Sequence, residues 1–174
     1  MKYDFATDLS IGHKFEDLFL NHLVRKGIPK HWITKAEGLF HDWDIKVTIP
    51  NGEELTYEIK RDYHFKRTGN ILYELWSCVE TQSKGWALLT RAKVLVIFYT
   101  DTEFVQVTLK ELCWWFRHRP ELWDRREITQ QNGTTTRFWL LHKGAVTTDY
   151  LYHNNRFIKL QRTLQLTWEN INTK

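Results

Sequence analysis

Cysteine is scarce: Cys78 and Cys113 are the only two in 174 residues, and they lack any C-x-x-C spacing. That argues against a disulfide framework or a thiolate zinc site, and for a reduced, intracellular, cytoplasmic protein. Long hydrophobic runs are missing too. The N-terminus M-K-Y-D-F-A-T-D has no apolar signal core, and the longest strongly apolar run, residues 94–99, is far too short to span a bilayer, so no membrane role is expected. There is no G-x-x-x-x-G-K-[ST] loop to support NTP-driven work and no G-x-S-x-G elbow to support a serine hydrolase. Repeats, low-complexity tracts and linkers are also absent. The expectation is one domain over residues 1–174, with a core at about 8–120 and a β-rich C-terminal extension at about 121–174.

What is present begins with charge. The net charge of +4 and pI of about 9.0 suit a polyanionic partner, although simple solubility explains them equally well. Nine tryptophans is high for this length; most are expected in core or interface, and some could stack on bases.

The most informative stretch is D-I-K-V-T-I-P-N-G-E-E-L-T-Y-E-I-K, residues 44–60. Apolar residues alternate at Ile45, Val47 and Ile49, then at Leu55, Tyr57 and Ile59, around a Pro50-Asn51-Gly52 turn signal, so the stretch reads as a β-hairpin. The opposite parity carries Asp44 on the first strand and Glu58 and Lys60 on the second. A plain two-residue Asn51-Gly52 loop pairs residues whose numbers sum to 103 and throws the two carboxylates onto different faces. A three-residue loop or a bulge at Gly52 gives an even sum and places them on one face. Two carboxylates and an ammonium at a sheet end can hold Mg²⁺ or Mn²⁺ and face a phosphate.

Around the hairpin, residues 8–26 read as a helix, with Asp8 and Ser10 as candidate caps and Gly27 with Pro29 as its stop. Its apolar stripe is Ile11, Phe15, Leu18, Phe19 and His22. Glu16 falls at the stripe's edge beside Leu23, where it can reach towards the sheet or simply neutralise a neighbouring lysine or arginine. Residues 30–38, with His31 and Trp32, read as a connecting loop. After Lys60 comes R-D-Y-H-F-K-R-T-G-N, in which Arg61, His64, Lys66, Arg67 and Asn70 are interleaved with aromatic residues. These could neutralise phosphates and stack on bases, or form a solvated loop. Residues 71–77 read as a third strand carrying Glu74, and 79–90 as a short helix or loop. A-K-V-L-V-I-F-Y reads as a strand covered on both faces, turning at Asp101-Thr102 into a strand at 104–107. A helix follows with Thr108 as cap and Leu109, Leu112, Cys113 and Phe116 inward. The basic patch after it, Arg117, His118, Arg119, Arg125 and Arg126, could contact nucleic acid or complement the helix dipole. Strands are expected at 135–141 and 149–160, the second with an Asn154-Asn155 turn.

Asp44 followed by Glu58-Ile59-Lys60 resembles the D…(D/E)-x-K signature of the PD-(D/E)XK, or restriction-endonuclease-like, nuclease superfamily, with Trp43 where the motif's often-replaced proline stands. G-H-K-F-E-D-L-F-L-N-H-L, with Glu16, looks like the superfamily's glutamate-bearing first helix. T-G-N-I-L-Y-E-L resembles the following strand of its small phage-encoded members. The resemblance covers roughly residues 8–100 and implies an α/β (α+β) fold with a central mixed sheet flanked by helices on both faces. It further implies Mg²⁺ or Mn²⁺ bound by Asp44, Glu58 and the main-chain carbonyl of Ile59. Lys60 is then the motif's catalytic lysine, Glu16 a second carboxylate at the site, and Glu74 an outer-shell group or a cross-strand partner of Lys60 or Arg61. The activity implied is a DNA endonuclease, structure-selective or site-specific, touching its substrate through Arg61, His64, Lys66, Arg67, Asn70, Arg117 and Arg119. RNA as substrate, a homodimer, and a non-catalytic nucleic-acid-binding module of the same fold stay open, as does a chance E-x-K on an exposed strand.

Overall fold

A computed structural model describes residues 5–37, 42–130, 132–141 and 167–170. The expected strand at 149–160 and its Asn154-Asn155 turn lie outside these residues. The fold is α+β, with a mixed central sheet and helices. The chain gathers into two compact units: one draws on residues 1–63, 91–107 and 166–174, the other on 64–90 and 108–165.

The first unit opens with helix α1, Phe5–Arg25. Because the helix starts at Phe5, Asp8 and Ser10 lie inside it and do not cap it. Its end is written in the sequence: Ile28 N–H donates to Leu23 O and Gly27 N–H to Val24 O, with Gly27 at φ +91°. That pair of bonds is a Schellman closure, which needs a residue in the left-handed region, and glycine adopts it without a Cβ penalty.

A 3₁₀ turn at Lys30–Trp32 leads into strand β1, Ile33–Lys35, so the expected loop at 30–38 contains an edge strand. Three residues are too few for a period-2 pattern to declare itself. β2 (Ile45–Thr48) and β3 (Glu54–Arg61) form the hairpin. β6 (Val94–Phe98) runs parallel to β3, and β7 (Glu103–Thr108) and β10 (Thr167–Asn170) complete the sheet in the order β1-β2-β3-β6-β7-β10. The β6 sequence V-L-V-I-F is buried almost throughout, as a central strand requires. Phe15, Phe19 and Leu23 of α1 pack against Ile45, Val47, Tyr57, Ile59, Val96, Phe98 and Phe104 to form the core. Phe19 meets Tyr57 and Phe104 edge-on, with ring centroids 4.9 and 5.5 Å apart.

The parallel β3–β6 pair needs a crossover, and the chain uses it to build much of the second unit. α2 (Tyr63–Thr68) replaces the expected loop because Phe65 is buried and anchors a single helical turn. β4 (Ile71–Cys78) follows, then β5 (Ser83–Lys84) and α3 (Trp86–Leu89), a strand and a helix where 79–90 reads as either helix or loop. β8 (Trp123–Thr129) and β9 (Thr135–Leu141) join β4 and β5 in an antiparallel sheet ordered β5-β4-β9-β8, so the strands after residue 120 complete a sheet begun before them. Helix α4, Leu109–His118, buries Leu109, Leu112, Trp115 and Phe116. Trp115 takes the inward place expected of Cys113, which stays half-buried beside the Tyr73 hydroxyl at 3.3 Å. Thr108 stands at the cap position with extended backbone, but its side chain makes no capping hydrogen bond. Tyr73, Phe116, Trp123 and Trp139 form a contiguous aromatic cluster with centroids 4.7–6.0 Å apart, which uses two of the tryptophans structurally. Cys78 and Cys113 are thiols, not a disulfide. Among the described residues no helix is long and apolar enough to cross a membrane.

Candidate active site

Whether Asp44 meets Glu58 depends on the turn between β2 and β3. Ile49 N–H donates to Glu53 O at 3.0 Å, Gly52 N–H donates to Ile49 O at 2.9 Å, and Gly52 sits at φ +87°. This is a three-residue Pro50-Asn51-Gly52 loop closed by a left-handed glycine. Asn51 Oδ1 tightens it by accepting from Glu53 N–H. Ile45 then faces Tyr57, and Val47 faces Leu55, so every pair sums to 102. The even register carries Asp44 alongside Glu58. Tyr57 and Ile59 go into the α1 core, while Thr56, Glu58 and Lys60 take the other parity.

Asp44 lies where β2 leaves the ladder, and three hydrogen bonds fix it. Its N–H donates to Tyr57 O, its carbonyl accepts from Ala36 N–H, and its Oδ2 accepts from Ile59 N–H at 2.6 Å. The carboxylate thus serves the β3 backbone where the neighbouring strand has ended. Ile59's carbonyl faces the same way. Main-chain groups of Thr56 and Asp62 are engaged on the β6 side, by Lys93 N–H and with Phe98 O respectively, so those of Ile59, at odd offset, point to the Asp44 side.

Glu58 is only 4 % exposed, and Lys60 Nζ lies 2.7 Å from its Oε1. Glu58 thus has the Lys60 ammonium as its ion-pair partner. Burial, then the Glu58 charge, with a smaller push from Glu16, raise the Asp44 pKa to about 6 against the opposing pull of Lys60 and the Ile59 N–H.

Glu16 comes from α1, and its Oε2 receives two contacts: His13 Nδ1 at 3.1 Å and Lys35 Nζ at 3.2 Å. Lys35 also donates to Asp17 Oδ1 at 2.6 Å and towards His13 O at 3.5 Å. Burial works against the Lys35 ammonium, but the hydrogen bonds to Asp17 and Glu16 outweigh it and hold its pKa above the usual lysine value.

Asp44, Glu58, Ile59, Lys60 and Glu16 all belong to the first compact unit, as does Arg61. Arg61 has the parity opposite to Lys60; its guanidinium lies 3.8 Å above the Tyr63 ring, whose hydroxyl donates to Asp101. Glu74, His64, Lys66, Arg67, Asn70, Arg117 and Arg119 belong to the second unit. Glu74 lies on β4, whose neighbours are β5 and β9, so the expected strand next to β3 is β6 instead. His64, Lys66, Arg67 and Arg117 are exposed, whereas Arg119 is bonded to Glu121 and lies over the Trp115 ring. Lys35 and His13 carry no sequence signal: each acts through a partner that only the fold supplies.

Among the described residues no group of three or more His, Cys, Asp or Glu side chains is arranged to hold a metal ion. The donor set at the hairpin is smaller and all oxygen: the Asp44 and Glu58 carboxylates and the Ile59 carbonyl. That set suits Mg²⁺, which keeps several waters and binds through one or two carboxylates, and not Zn²⁺, which prefers nitrogen and sulfur. Glu58, buried, and Asp44, half-buried, also place negative charge beside Lys60 that a divalent cation would help to neutralise.

No family model matches the chain, and no curated protein or solved structure matches it either.

Proposed function

We propose that the protein is a metal-dependent nuclease with a restriction-endonuclease-like core, hydrolysing DNA phosphodiester bonds at the Asp44–Glu58–Lys60 cluster. The observation that carries this reading is the register. A hairpin whose pairs sum to 102 puts Asp44 and Glu58 on one face and fixes Lys60 beside them.

In this mechanism Asp44 and Glu58, with the Ile59 carbonyl, would hold Mg²⁺ or Mn²⁺, which when bound would lower the pKa of a water and offset charge developing on the phosphate. The Ile59 N–H keeps the Asp44 carboxylate aimed at the site. Lys60, steadied by Glu58, orients the attacking water and donates to the phosphoryl oxygens as their charge grows. Without the cation, two carboxylates repel a phosphate, so cleavage requires it. Within the same unit the exposed Arg61 would supply a cation for a backbone phosphate, which positions a substrate without reading its sequence.

A second reading, a non-catalytic DNA-binding module, draws on the absence of a three-side-chain metal group among the described residues. One experiment separates the two. Supercoiled plasmid, single strands and a four-way junction are incubated with Mg²⁺, Mn²⁺ or EDTA, using wild type and Asp44→Asn. The nuclease reading predicts cutting with either metal, none in EDTA, and an Asp44→Asn protein that still binds DNA. Cutting in EDTA, or at an unchanged rate by Asp44→Asn, overturns it; binding without cutting by the wild type supports the second reading.

A further inference from the structure

Helix α4 turns to solvent a face that neither its packing nor its dipole accounts for. Lys110, Trp114, Arg117 and His118, spaced i, i+4, i+7 and i+8, are its four exposed residues and form one stripe, away from the buried Leu112 and Phe116. Trp114 is 36 % exposed. The His118 ring stacks on it with centroids 4.6 Å apart and planes 15° from parallel, and His118 Nδ1–H donates back to Trp114 O at 2.9 Å. That bond holds the imidazole against the indole, so the two rings form a fixed aromatic platform at the surface. Lys110 and Arg117 stand one turn to either side of Trp114, about 10 Å apart along the axis. The helix C-terminus favours Arg117 and His118, but Lys110 lies in the first turn, where the dipole disfavours a cation. Other arginines of the same unit are committed to carboxylates: Arg119 to Glu121, Arg126 to Asp124 and Arg137 to Glu127. Among the described residues Lys110 and Arg117 make no such ion pair. The stripe holds no acid, and Glu111, the one carboxylate of α4, keeps its Oε2 out of solvent.

We propose that this face is a contact for a single nucleic-acid strand, with one base stacking on the Trp114–His118 platform while Lys110 and Arg117 take the phosphates before and after it. A base inside a duplex has its faces covered by its neighbours, so an aromatic platform selects an unpaired strand. The contact lies in the second unit, needs no metal and does not depend on the nuclease reading. A stray exposed aromatic on a solvated basic helix is the competing account. Such a face binds polyanions through charge alone and ignores the bases.

The test is fluorescence anisotropy of a short labelled oligothymidylate and of an abasic strand of equal length, with the full chain in EDTA so that cleavage does not enter the readout. Wild type should bind the oligothymidylate more tightly than the abasic strand. Trp114→Ala should weaken oligothymidylate binding about 5- to 100-fold and leave abasic binding unchanged, with much of the loss recovered in Trp114→Phe. Lys110→Gln combined with Arg117→Gln should weaken both strands and reduce the slope of log affinity against log salt by about 1.4, the share of two phosphates on a single strand. Should Trp114→Ala not fold, His118→Ala, which strips one ring from the platform, carries the same base-dependent loss. Tighter binding of oligouridylate than of oligothymidylate supports the contact with RNA as the strand. A folded Trp114→Ala that prefers the oligothymidylate to the abasic strand as strongly as wild type does overturns the proposal. So does a wild type that binds neither strand, or that binds phosphatidylserine vesicles in place of both.

Discussion

Asp44 is held in place by three hydrogen bonds yet disfavoured there as an anion, and the two facts set how stability depends on pH. Its pKa rises from the ordinary 3.8 to about 6, so the native state holds this proton more tightly than the unfolded chain does. Where the native state binds more protons, stability falls as pH rises. The penalty is absent below about pH 4, grows between about 4 and 6, and is complete above that, reaching at most about 3 kcal/mol at about 1.4 kcal/mol per unit. Asp44→Asn removes the charge while its side-chain oxygen still accepts from Ile59 N–H. Urea denaturation should therefore find this variant more stable than wild type by about 1–3 kcal/mol at pH 7.5, with the difference shrinking towards pH 4. A variant less stable than wild type at both pH values would show that Asp44 is an ordinary structural carboxylate. At this scale parity alone exposes Asp44, Glu58 and Lys60 in the sequence, because a period of two is a local signal. The Lys35–Asp17 contact spans 18 residues between a helix and an edge strand, and no local pattern announces it.

The loop at the hairpin tip is the element on which the site depends. Its three residues and the positive φ of Gly52 give the even register, whereas the turn signal in the sequence leaves open both the sum of 103 and an even one. Deleting Pro50 leaves Asn51-Gly52 as a two-residue loop between the same Ile49–Glu53 pair, and Asn-Gly is the preferred sequence for such a turn. That deletion should keep the register and cleavage within a few-fold of wild type. Gly52→Val, which forces a β-branched residue to φ +87°, should cost about 1–2 kcal/mol in denaturant melts. If removing Pro50 abolished metal-dependent cleavage while the protein stayed folded, register would not be the controlling feature. The long periodic elements, α1, β6 and α4, are legible because many residues repeat one message. β1, β5 and α2 are two to six residues long and owe their form to partners elsewhere in the chain, β2, β4 and the pocket around Phe65.

On the scale of the whole molecule, a chain with no composition shift folds into two compact units by passing between them more than once. Both are made of alternating apolar strands and amphipathic helices, so nothing in composition marks residues 63–64, 90–91 or 107–108 as crossing points. The hairpin cluster in the first unit brings together two carboxylates and one lysine, the residues through which the proposed nuclease would act. Its most direct test is the conversion of supercoiled plasmid to nicked or linear form in Mg²⁺ by wild type and by Lys60→Ala, purified identically and matched for folding by circular dichroism. The proposed nuclease should cut as wild type, stop in EDTA, and lose about 10²-fold or more in rate as Lys60→Ala. Equal rates for the two proteins would contradict it.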